Sequence, residues 1–182
     1  DSRLRMKPTM LVALLFAATA VPAGLLAEAR SASRHEHGTS SLSIAVDGND
    51  LAIDLDGPAG NLLGFEHRPS SPEQQAVLAK VVDSLRAGNT LFLTPPAADC
   101  RLVSSAVSPP AFGTDDHSDL EASWDLRCGN PAALQWVDAQ LLAQFPGVEK
   151  LVTSIVTPAG QKTVVLTPGT PRVLLPRPTG SR

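Results

Sequence analysis

The chain has 182 residues, a formal net charge of −3 and only 18% charged residues, with no cluster of Lys or Arg. That balance disfavours nucleic acid or an anionic membrane surface as a partner. Aromatic residues make up 4% and Tyr is absent, so any core must be built from Val, Leu, Ile and Ala.

From Met6 the chain reads MKPTMLVALLFAATAVPAGLLAEA: basic Lys7, an apolar run over residues 10–20, then Ala27-Glu28-Ala29 as a small-x-small cleavage site. This pattern predicts a secretory signal peptide over residues 1–29, and cuts after Ala23 or Ala27 fit the same pattern. The apolar run breaks at Pro22 and Gly24, too short for a retained membrane span. The five residues before Met6 suggest that translation starts there. Removal leaves residues 30–182, one domain's worth of chain with a net charge of −4 and no further stretch of membrane-spanning length.

In the mature part, Leu42, Ile44 and Val46 alternate with polar residues, as do Leu51, Ile53 and Leu55. Asp47-Gly48-Asn49-Asp50 lies between them, which predicts a β-hairpin with one buried face. A loop through Gly57-Pro58 and Gly60-Asn61 leads to Glu66-His67. Ser71, Pro72 and Gln74 then form the start signal of a helix, with Val77, Leu78, Val81, Val82 and Leu85 as its apolar stripe and Gly88 as its stop. Residues 100–107 and 119–128 read as two strands, with Leu120, Ala122, Trp124, Leu126 and Cys128 on one face. Asn130 and Pro131 open a second predicted helix carrying Leu134, Val137, Leu141, Leu142 and Phe145. Strands over 151–157 and 162–166 follow, then a Pro-rich tail from Pro168 expected to be loosely ordered. The expected order is ββα-ββα-ββ: antiparallel hairpins with two helices on one face, an α+β domain.

Two cysteines, Cys100 and Cys128, in an exported chain and without CxxC spacing read as a structural disulfide. The competing reading, a cysteine pair on a metal, needs further ligands, and no histidine adjoins either cysteine. The chain-entropy model gives such a bond about 3–4 kcal/mol.

No catalytic motif is present: no nucleophile elbow, no glycine-rich phosphate loop and no H-E-x-x-H. Glu66-His67 and Asp116-His117 are acid–histidine neighbours with no nucleophile beside them, so an enzyme is not expected. Metal binding has more to rest on. His35 and His37 are two apart, and on an extended chain they project to one side, where zinc accepts two imidazoles. Extending the strand alternation puts both on the polar side, as it does His117, Asp119 and Glu121. The expected set is His35 and His37 with His117 as third ligand, and Asp116, Asp119 or water completing four-coordination. The same histidines also read as a solvated tail. His67, between Glu66 and Arg68, reads as structural.

HEHGTSSLSIAVDGNDLAIDLDGPAGNLLGFEHRPSSPEQQ, HSDLEASWDLRCGNP and FPGVEKLVTSIVTPAGQKTVVLTP together resemble the ZrgA-like, zinc-regulated periplasmic proteins of Gram-negative bacteria. The resemblance implies a periplasmic zinc-binding protein that assists zinc import, by buffering or by handing the ion to an importer component. His35, Glu36 and His37 match the family's HEHG, Glu66 and His67 its FEH motif, and Cys100 and Cys128 its cysteine pair. His117 stands where relatives run from a long histidine- and acid-rich loop into a strand. That loop is short here, from Phe112 to His117 with one histidine, which argues against a high-capacity store. The alternative is a non-catalytic envelope domain that binds a protein partner without a metal.

Overall fold

A computed structural model describes residues 36–88, 90–113 and 118–176. The expected signal peptide and three expected ligands, His35, Asp116 and His117, lie outside the described residues. Among the described residues no helix is long and apolar enough to cross a membrane.

The predicted hairpins form. β1 (Thr39–Asp47) and β2 (Asp50–Pro58) pair antiparallel around the Gly48 turn, with Leu42, Ile44, Leu51, Ile53 and Leu55 all buried. β4 (Cys100–Ser108) and β5 (Asp119–Cys128) make a second hairpin, and β7 (Lys150–Thr157) and β8 (Gly160–Leu166) a third. They join into one six-stranded sheet in the order β4-β5-β2-β1-β7-β8. All its pairings are antiparallel except β1 with β7, which run parallel with Thr39 opposite Lys150. The expected all-antiparallel sheet is corrected on that point.

The helices depart further from the expected order. α2 (Pro72–Ala87) is as predicted: Ser71 caps it, accepting from Gln74 N at 3.3 Å, and Gly88 ends it. The same Ser71 side chain hydrogen-bonds the Glu73 carboxyl and holds its pKa below the usual value. The segment after Gly57, expected as loop, contains a short helix α1 (Ala59–Leu63). The second predicted helix is not one. Residues 131–133 make a single tight turn, β6 (Trp136–Ala139) is a strand, and only α3 (Leu141–Gln144) is helical. β6 forms a second, three-stranded sheet between β3 (Phe92–Leu93) and β9 (Arg172–Leu174), the last drawn from within the Pro-rich tail. The reason is visible in burial. Val137, Asp138 and Ala139 are buried in succession, which a strand between two neighbours permits and a half-exposed helix does not. Asp138 is tied there by Arg172 at 3.0 Å, whose guanidinium also stacks on Trp136, 4.0 Å from the ring centroid.

The inner face of the large sheet joins α1, α2, α3 and the small sheet in one apolar core. The outer face is left to solvent, with Ser41, Ser43, Asp54, Asp56 and Glu121 exposed on its central strands.

Cys100 and Cys128 stand opposite each other in the β4–β5 register and are bonded, with Cα atoms 3.8 Å apart. Cys128 is buried, as its parity in β5 required. Thiol labelling of the unreduced protein should find no free cysteine, and Cys128→Ser should destabilise the fold by about 2–5 kcal/mol. Two reactive thiols in the native protein would contradict the pairing.

Candidate metal centre

Strand direction decides what meets at each end of the large sheet. β1 and β5 both run antiparallel to β2, which lies between them, so both start at the end where β2 finishes. The register puts Ser41 opposite Asp56 and Asp56 opposite Glu121, so the two starts are level. Two strand spacings separate them, about 10 Å. β7, parallel to β1, starts there too. Four segments therefore meet at one end: the residues before β1, those after β2, those before β5 and those before β7. Of the described histidines, His37 lies before β1 and His67 after β2; His35 and His117 lie outside the described residues. The disulfide closes the opposite end, where β5 finishes.

The segment entering β1 is held at several points. Asn61, buried at the sheet-facing side of α1, accepts from Gly38 N at 2.9 Å and donates to Thr39 O at 2.9 Å and Ser40 Oγ at 3.2 Å. Gly38 has φ +80°, a left-handed conformation that favours glycine, and Thr39 N donates to Glu36 O at 2.9 Å. Residues 36–39 thus form a turn, and strand alternation begins only at Thr39. His37 sits on that turn and is exposed, so its direction is set by the turn and not by the parity expected from an extended chain. Glu36 faces Lys150 across the β1–β7 junction at 3.5 Å, both side chains largely exposed.

After α1 the chain turns through Phe65, Glu66 and His67. The Glu66 side chain lies against Gly60, where a Cβ would come within 2.9 Å of its carboxyl oxygen. His67 is exposed, its ring 5.5 Å from that of Phe65, and its Nδ1 is 3.0 Å from Arg68 O. With Nδ1 as the donor, Nε2 keeps its lone pair, the arrangement that orients a metal-ligating histidine. Arg68 reaches across to Phe112 O at 3.3 Å, which ties this turn to the β4–β5 loop. Where that loop enters β5, Ser118 is buried, its carbonyl accepting from Ala59 N at 2.7 Å. Its hydroxyl and that of Thr39 are buried with no hydrogen-bond partner among the described residues.

Among the described residues no three of His, Cys, Asp and Glu are grouped closely enough to hold a metal. Of the residues expected as metal ligands, the structure describes His37 and the alternative Asp119, the first residue of β5, and puts both at this end. Reading the sequence missed Asn61 and Glu149. Glu149 enters because its N–H and that of Lys150 both donate to Gly38 O, at 2.7 and 2.9 Å. The only sequence signal for it was its place within FPGVEK. A cleft of about 550 Å³ behind α1, lined by residues such as Leu63, Lys80, Val81 and Phe145, holds no His, Cys, Asp or Glu.

These features define a sheet-rich α+β domain with one disulfide and a histidine-bearing sheet end. The chain belongs to the ZrgA family of zinc uptake proteins, whose family model matches residues 34–175 and so takes in all four histidines and both cysteines. No curated protein matches the chain.

Proposed function

We propose that the chain binds zinc in the periplasm and supports zinc acquisition, buffering the ion or passing it to an importer component. Membership of a zinc uptake family gives the zinc-related role. The observation that carries the finer reading is the strand order. It sets the starts of β1 and β5 and the finish of β2 at one end of the sheet, and in sequence His35 and His37 precede β1, His67 follows β2 and His117 precedes β5; Asn61 fixes the entry to β1. His35, His37 and His117 supply imidazole nitrogens, and Asp116, Asp119 or water completes four-coordination, an arrangement that lets the metal be handed on. The reading is non-catalytic, with zinc as cargo. The disulfide and the expected signal peptide both fit an oxidising compartment.

Zinc titration by calorimetry tests this, with saturable binding of about one ion expected. Affinity should also depend on pH in a fixed direction. A protonated imidazole has no lone pair for a metal, so binding weakens as pH falls through the range near 6.5 where histidine takes up protons. Affinity unchanged between pH 7.5 and pH 5.5 would exclude histidine ligands.

A further inference from the structure

We propose that Glu149 is a zinc ligand, the carboxylate partner of His37; the assignment rests on the zinc-binding reading above. It comes from the parallel junction of β1 and β7. There Gly38 O takes the N–H groups of both Glu149 and Lys150, so Glu149 is locked against the residue that follows His37. Its side chain turns back over that residue. A Cβ placed on Gly38 would lie 2.9 Å from the Glu149 carboxyl carbon and 3.0 Å from Oε2. The carboxylate is thus held over bare backbone, one residue from an exposed imidazole.

The neighbouring charges single it out. Lys150, the nearest cation in sequence, is paired with Glu36, which occupies that carboxylate as well. Glu149 makes no side-chain hydrogen bond or ion pair among the described residues and is exposed, so a cation can reach it without displacing a partner. Tetrahedral zinc with bonds of about 2.0–2.2 Å needs ligand atoms roughly 3.3 Å apart. His37 is exposed, and the backbone of the residue that follows it is already hydrogen-bonded to that of Glu149. Neutral imidazole and one carboxylate leave a net charge of +1 on the ion, suited to a site that must release its metal. In this assignment Glu149 takes the fourth position, which the reading above leaves to Asp116, Asp119 or water.

The test compares Glu149→Gln with Asp116→Asn, Glu36→Gln and the His35→Ala/His37→Ala pair, using zinc calorimetry and the visible absorption of bound cobalt. Glu149→Gln keeps the side chain's shape over Gly38, so the melting temperature should hold. Zinc affinity should fall at least about tenfold, and the cobalt bands should shift because an oxygen donor has been lost. Glu36→Gln should bind zinc as the parent does. Parent-like affinity and spectrum in Glu149→Gln, while the histidine pair loses binding, would overturn this assignment and leave the zinc reading standing. The same holds if Asp116→Asn alone loses affinity. A parent chain that takes up no zinc would overturn both.

Discussion

With His35 and His37 both changed to alanine, zinc affinity should fall by more than the roughly 10–100-fold that losing an outer-shell partner costs. The melting temperature of the metal-free protein should stay unchanged. The two halves of that expectation have separate grounds. His37 is exposed on the turn before β1, and the turn's hold on the sheet comes from Asn61, Gly38 and the backbone of Glu149, none of which the substitutions touch. The His37 imidazole is therefore removable without cost to the core, while a zinc site stripped of two nitrogen donors keeps at most carboxylate, water and His117. Measured beside it, His117→Ala should weaken binding by less than the double change. Undiminished affinity in the double variant would leave these histidines as a solvated tail.

The largest stability effect should come from Trp124. Its ring is buried on the inner face of β5, meets Phe92 edge-on at 4.9 Å between centroids, and donates Nε1–H to Leu85 O at 2.7 Å. Gly88, which ends α2, is the residue that lets the ring fit: a Cβ there would come within 2.6 Å of Trp124 Cδ1. One side chain therefore joins the large sheet, the small sheet and the end of α2. Trp124→Ala should destabilise by about 3–5 kcal/mol for the lost ring and its cavity, and the orphaned Leu85 carbonyl adds about 1–3 kcal/mol. Against a typical total of about 5–15 kcal/mol, that leaves a marginal fold. Trp124→Phe keeps most of the packing and isolates the hydrogen-bond part. Urea midpoints of the three proteins separate these contributions, and a loss below about 1.5 kcal/mol for Trp124→Ala would contradict this account of the core.

The elements that sequence revealed are those whose causes are local. α2 carries its own cap, its own stop and its own apolar stripe, and β1, β2 and β5 declare their buried faces by strict alternation. Residues 134–145 carry apolar positions at helical spacing, yet β6 forms because β3 lies more than forty positions before it and β9 more than thirty after, and pairing with both outweighs the local period. The candidate site divides the same way. His35 and His37 stand out as a motif, whereas Asn61 and Glu149 acquire their roles only through contacts with the entry to β1. No spacing rule connects Gly38 to Glu149, because the β1–β7 pairing joins strands more than a hundred positions apart.

That pairing also governs the order in which the molecule can assemble. β1 is among the first strands of the folded part to be made and sits in the middle of the large sheet, yet one of its two neighbours is β7, near the far end of the chain. The β1–β2 hairpin can close early, since its loop is two residues long. The other edge of β1 must wait until almost all of the chain is present, and a contact of such high order forms slowly. Until it does, Gly38 O has neither of its two donors and Glu36 has no Lys150. The turn that bears His37 is thus completed late, and a chain cut short before β7 would hold it by Asn61 and the β1–β2 pairing alone.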